Sequence, residues 1–139
     1  MPSVSPSASR MNAWLTRASL WGPVVLQMGV IFAASSVPDL QALPGGLPDW
    51  FGHGAGYALL GALALRAFAG GRRAGVTARA ATAAALLAVL YGVTDELHQT
   101  LVPGRAADLR DVAADAAGAG LAVAAGWSWR RLSPRPGKP

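Results

Sequence analysis

Asp95-Glu96-Leu97-His98-Gln99, followed by Pro103-Gly104-Arg105 and then by Asp108, Asp111 and Asp115, is the stretch on which the fold turns. It sets ionisable groups at the ends of two long apolar runs, one closing near Val93 and the next opening at Val112. All seven acidic residues and both histidines lie between Asp39 and Asp115. A chain this apolar has little reason to place charges against its hydrophobic runs unless they carry function.

Working outward, 53% of the 139 residues are hydrophobic and 14% are charged, with a mean hydropathy of +0.35. A soluble domain usually carries about 25% charged residues. A membrane span needs roughly 20 apolar residues, and four segments approach that length. They run from Leu20 to Ser35 (with Trp14 and Leu15 as an extension), Trp50 to Ala69, Ala78 to Val93 or Leu97, and Val112 to Trp129. The expected fold is all-α: an integral membrane four-helix bundle with short external loops. The first segment also fits a signal peptide, with Arg10 and Arg17 before an apolar core and small residues at Ala33-Ala34-Ser35. Further spans follow it, which favours an uncleaved first helix. Cysteine is absent, so disulfide and thiol chemistry are excluded.

The net charge of +5 invites a nucleic-acid reading, but the distribution of the basic residues argues against one. Arg10, Arg17, Arg66, Arg72, Arg73, Arg79, Arg130, Arg131, Arg135 and Lys138 all fall on one side of a four-span bundle; Arg105 and Arg110 fall on the other. This is the positive-inside pattern. It predicts a multi-pass protein of the plasma membrane with both termini cytoplasmic, and with the acidic cluster facing outward. The lipid bilayer is then a partner and nucleic acid is not. Residues 1–13 read as a disordered cytoplasmic tail, 14–131 as the membrane domain and 132–139 as a basic cytoplasmic tail. Asp39 to Pro48 reads as an irregular external loop. Trp14, Trp21, Trp127 and Trp129 flank the inner ends, and Trp50 with Phe51 an outer end, as an aromatic belt would. Gly52 with Gly56, and Ala114 with Gly118, have the spacing that lets membrane helices approach closely.

The polar residues form stripes. Asp49, His53 and Tyr57 follow steps of four on one face of the second helix. Tyr91, Asp95, His98 and Gln99 fall near one face of the third, with Glu96 turned about 100° away. A carboxylate at a helix C-terminus is unfavourable, so Asp95 and Glu96 need compensation, for which Arg105 is a candidate. Asp108 suits an N-cap and Asp111 the first turn of the fourth helix. Asp115 lies one turn deeper and needs a partner; Arg105, Arg110, His53 and His98 are the candidates.

The chain resembles the VanZ-like family of small membrane proteins. The resemblance rests on Asp49-x-x-x-His53-x-x-x-Tyr57, Tyr91-Gly92-x-x-Asp95-Glu96-Leu97-His98-Gln99, Val102-Pro103-Gly104-Arg105 and Asp111-Val112-x-x-Asp115-x-x-Gly118. It runs from about Ser35 to Gly126. Two positions depart from the family pattern: Trp50 stands where lysine is common, and Asp115 where asparagine is usual. The resemblance implies an association with resistance to teicoplanin-type glycopeptides and fixes no reaction.

Three functional readings follow. The first is an outward polar pocket, built from Asp49, His53, Tyr57, Asp95, Glu96, His98, Gln99, Arg105, Asp111 and Asp115, that binds or modulates a cell-envelope component. The second is an intramembrane enzyme acting on a lipid-linked cell-wall precursor or a phospholipid. There His53 and His98 would act as acid and base, Arg105 would hold a phosphate or carboxylate, and the carboxylates would orient the histidines. The third is a divalent-metal site on His53, His98 and Asp95, whose ligand types suit zinc but lack the close spacing of a zinc motif. No organic cofactor is expected. All three require Asp95, His98, Arg105 and Asp111 to converge with His53.

Overall fold

The computed structural model describes residues 6–38, 42–43, 47–72 and 75–132. Four helices make up the fold: α1 (Pro6–Ser35), α2 (Asp49–Phe68), α3 (Ala78–Gln99) and α4 (Leu109–Leu132). The fold is all-α apart from a pair of two-residue strands, β1 (Ala42–Leu43) and β2 (Leu47–Pro48), which pair antiparallel. Within Asp39 to Pro48, expected as an irregular external loop, these four residues form a ladder; residues 39–41 and 44–46 lie outside the described residues. Helix α1 starts at Pro6, so residues 6–13 are helical and not a tail. Proline at the first helical position forfeits a donor that has no intrahelical partner anyway. The expected tail segments 1–5 and 133–139 lie outside the described residues, as do Asp39 and Arg73.

The turns follow from local chemistry. After α2, Gly71 N–H bonds Arg66 O and Gly70 N–H bonds Ala67 O, with Gly70 at φ 63°. This is a Schellman closure, and its left-handed residue favours glycine. Thr77 caps α3 by accepting from Ala80 N–H at 3.2 Å. Asp108 caps α4 by accepting from Arg110 N–H at 2.8 Å, as its position suggests.

Helix α2 sits at the centre and touches each of the other three. Its tightest neighbour is α4. A Cβ on Gly118 would run into the backbone of Gly54, and one on Gly61 would lie 2.9 Å from Ala119 O. Glycine is therefore required where these two backbones meet. The close pair is Gly54 with Gly118; Gly56 instead faces Ile31 and Gln27 on α1. Helix α1 is fastened by Tyr91 donating to Met28 O (2.7 Å) and Gln27 to Gly56 O (3.1 Å).

One end of the bundle gathers basic and aromatic residues. Arg66 donates to Ser19 O, Trp21 meets Phe68 edge-on, and Arg131 lies over the Trp127 ring. The opposite end holds the carboxylates. Beside an apolar core that includes Val24, Leu60, Ala64, Ala88 and Val123, the bundle also buries Ser35, His53, Asp95, Glu96, Gln99, Asp111 and Asp115, whereas Val25, Leu26, Leu90, Leu97 and Leu121 are exposed.

Two helices, α1 from Arg10 onward and α3, are long and apolar enough to cross a membrane by length and composition. Four such helices were expected. Helices α2 and α4 do not meet the same measure; α2 carries Asp49, His53 and Arg66, and α4 carries Arg110, Asp111 and Asp115.

Candidate functional site

The site lies at the acidic end and is built around α2. The i, i+4 register carries Asp49, His53 and Tyr57 down the face that meets α3 and α4; His53 and Tyr57 are buried and Asp49 is half-buried. On α4 the same register buries Asp111, Asp115, Ala119 and Val123. His53 Nδ1 lies 3.1 Å from Asp115 Oδ1 and 3.9 Å from Glu96 Oε1. A carboxylate accepts and does not donate, so this pairing calls for a proton on Nδ1. His53 is thus the partner that a buried Asp115 requires. Gly92 makes room for that carboxylate, since a Cβ there would come within 2.9 Å of Asp115 Oδ2.

The end of α3 splits its polar groups between two neighbours. At about 100° per residue, Gln99 projects between Asp95 and Glu96, and it donates to Asp95 Oδ2 and Glu96 Oε1 at 3.5 and 3.3 Å. Glu96 faces α4 and accepts Asp108 N–H at 2.8 Å. Asp95 faces α1, where Ser35 Oγ lies 2.8 Å from its Oδ2.

Arg105 follows a tight turn. Arg105 N–H bonds Val102 O, with Pro103 in the second position and Gly104 at φ 74° in the third. That left-handed third residue is the requirement of a type II turn. The turn brings Arg105 back over the bundle end. Its Nε and Nη2 donate to Gln99 Oε1 at 3.1 and 2.7 Å, and its Nη2 lies 3.3 Å from Asp49 Oδ2. Arg105 therefore locks Gln99 and Asp49 in place.

Of the ten residues expected at the site, nine gather at this end of α2, α3 and α4. His98 does not join them. It lies about 60° round α3 from Asp95, on the side away from Glu96. There it stacks on Phe32 with centroids 4.4 Å apart, and its Nε2 lies 3.0 Å from Ser36 Oγ. The expected convergence of His98 with His53 is therefore corrected, and so is the ligand set His53, His98 and Asp95. Two other sets bring ligand atoms within 4.8 Å of one another: His53 with Glu96 and Asp115, and Asp49 with His53 and Asp111. Their imidazole and carboxylate groups are of zinc-ligand type.

Ser35, Ser36, Gln27 and the Met28 carbonyl also hold this region together, and none was singled out from the sequence. In the sequence Ser35 is only the last residue of the first apolar run and one of its small residues, and Ser36 follows it. Their partners Asp95 and His98 are 60 or more residues away, and no local periodicity reports such a contact.

A cleft of about 180 Å3 opens between α1 and α2. Val30, Ile31 and Ala34 form an apolar wall, and His53, Tyr57, Asp95 and Arg105 contribute its polar groups. A second, more polar recess of about 400 Å3 lies over the bundle end between Asp49, Gln99, Arg105 and Asp111. Asp95 Oδ1, Asp115 Oδ2 and the Tyr57 hydroxyl are buried without a hydrogen-bond partner among the described residues. Trp127 Nε1, toward the other end, is a fourth such atom; these groups are uncommon in a folded protein, and two of the residues, Tyr57 and Asp95, line the cleft.

No curated protein and no solved structure matches the chain. The profile of the VanZ/LLP1 family matches residues 7–130, nearly the whole chain and all four helices. This agrees with the resemblance carried by the Asp49, Asp95–Gln99, Arg105 and Asp111 motifs, and the chain belongs to the VanZ/LLP1 family.

Proposed function

We propose that this VanZ-like protein is a multi-pass plasma-membrane protein that binds an amphipathic component of the cell envelope in the cleft between α1 and α2. All four helices span the bilayer, both termini are cytoplasmic and the carboxylate-rich end faces outward. The observation that carries this reading is the burial of five ionisable residues, His53, Asp95, Glu96, Asp111 and Asp115, in a bundle whose surface exposes many large leucine and valine side chains. Ionisable groups at membrane depth face the bundle interior or a water-filled cavity, and they mark functional positions. Helices α2 and α4 join the bundle through the Gly54–Gly118 approach, a packing mode suited to lipid. The apolar wall at Val30 and Ile31 suits an acyl or polyprenyl chain, and the polar groups beside it suit a headgroup. An envelope lipid or a lipid-linked cell-wall precursor has this two-part chemistry. Sequestering or altering access to such a molecule would connect the protein to glycopeptide susceptibility.

A second reading is an intramembrane enzyme. The observation favouring it is His53, which lines the cleft while Asp115 orients its ring, as a general base is held.

Native mass spectrometry of the protein released from mild detergent tests the binding reading. A retained amphiphile is expected. It should be lost in Gly56→Leu, because a Cβ at this position has ordinary contacts at 3.8 Å and the longer side chain would fill the cleft. Equal retention by both proteins would refute the reading.

A further inference from the structure

Two residues that line the cleft carry buried polar atoms with no partner among the described residues. Asp95 is 3% exposed; its Oδ2 meets Ser35 and Gln99, and its Oδ1 is buried with no partner among the described residues. Tyr57 is 1% exposed, lines the same cleft, and has a hydroxyl in the same condition. A carboxylate oxygen can only accept, and leaving a buried acceptor unmet is costly. The group that answers it must bring N–H or O–H donors, and a cation answers it best.

The rest of the cleft narrows the choice. Arg105 shares its wall with Asp49, so acidic and basic groups stand side by side, as a zwitterion requires. The cleft, of about 180 Å3 and open on one side, has room for a small headgroup. Val30, 54% exposed at the rim, leaves the cleft open sideways toward the surface where acyl chains would lie.

We infer that the cleft selects a phospholipid with a primary ammonium, an ethanolamine headgroup, with the ammonium on Asp95 Oδ1 and the Tyr57 hydroxyl and the phosphate beside Arg105. The inference rests on the reading of the cleft as a site for an envelope amphiphile. A choline headgroup carries a positive charge and no N–H, so it attracts Asp95 without satisfying it. A glycerol headgroup offers hydroxyls and no cation.

The test is native mass spectrometry of the full chain with equimolar phosphatidylethanolamine, phosphatidylcholine and phosphatidylglycerol of matched acyl chains. Ethanolamine lipid is expected to be bound at least about tenfold in preference to choline lipid, the value of one charge-assisted hydrogen bond. Asp95→Asn and Tyr57→Phe should each reduce that preference to about threefold or less. Tyr57→Phe removes only a hydroxyl that has no partner among the described residues, so it separates recognition from folding. Equal binding of ethanolamine and choline lipids would overturn the inference, as would a preference that both variants retain. A preference abolished by chelation would assign recognition to a divalent cation and overturn it too. Preferred binding of the glycerol lipid would overturn the headgroup while sparing the amphiphile reading. No lipid retained above the Gly56→Leu level would end both.

Discussion

His53 Nδ1 lies 3.1 Å from Asp115 Oδ1, and this contact joins the two most closely packed helices, α2 and α4, beside Glu96. Removing one member of a buried pair strands the other, which costs about 3 kcal/mol or more. Asp115→Ala should therefore lower the unfolding temperature in detergent markedly. Asp115→Asn keeps an amide oxygen that still accepts from Nδ1–H, so its loss should be about 1 kcal/mol. Equal losses in the two variants would show that the pair does not depend on this hydrogen bond.

The α2–α4 approach predicts opposite outcomes at two glycines of the same helix. A Cβ on Gly118 meets the Gly54 backbone, whereas one on Gly120 meets nothing within 4 Å. Gly118→Ala should destabilise by about 1–3 kcal/mol through overpacking. Gly120→Ala should be neutral or stabilise by up to about 1 kcal/mol through helix propensity. Thermal unfolding of both variants in the same detergent decides the matter; a neutral Gly118→Ala would contradict the packing.

The two histidines should separate in function. His98 stacks on Phe32 outside the cleft, and His53 lines it. His98→Phe preserves a stack and should leave amphiphile retention within about twofold, because an aromatic pair survives. His53→Phe strands Asp115 and should reduce retention by tenfold or more, a loss of about 1.4 kcal/mol or greater. Retention measured by native mass spectrometry in the reverse order would return His98 to the site.

The histidines also show what the sequence could and could not reveal. Period-four spacing alone put Asp49, His53 and Tyr57 on one face, because every step of four advances a helix by nearly a full turn. The spacing of Asp95 and His98 was equally suggestive and misleading. A step of three leaves about 60° between two side chains, and the bundle centre lies on the far side of Asp95, between it and Glu96. Which side of Asp95 is the centre depends on where α1 packs, and that is set by Ser35 and Met28, long-range contacts without a local pattern. Pro103-Gly104 was legible as a turn, but its role in folding Arg105 back onto Gln99 and Asp49 needed the third dimension. Helix α1 was longer than expected because serine and proline near Pro6 resemble a tail in composition, while proline at a helix start is compatible with helix.

The claim that the carboxylate end faces outward on a four-span bundle is tested most directly by labelling introduced cysteines in intact cells, since the chain has none of its own. Ala106→Cys sits in the exposed turn that carries Arg105, and Arg72→Cys sits at the opposite end. A membrane-impermeant maleimide is expected to modify residue 106 in intact cells and residue 72 only after permeabilisation. Modification of residue 72 from outside, with residue 106 protected until the membrane is opened, would contradict the account.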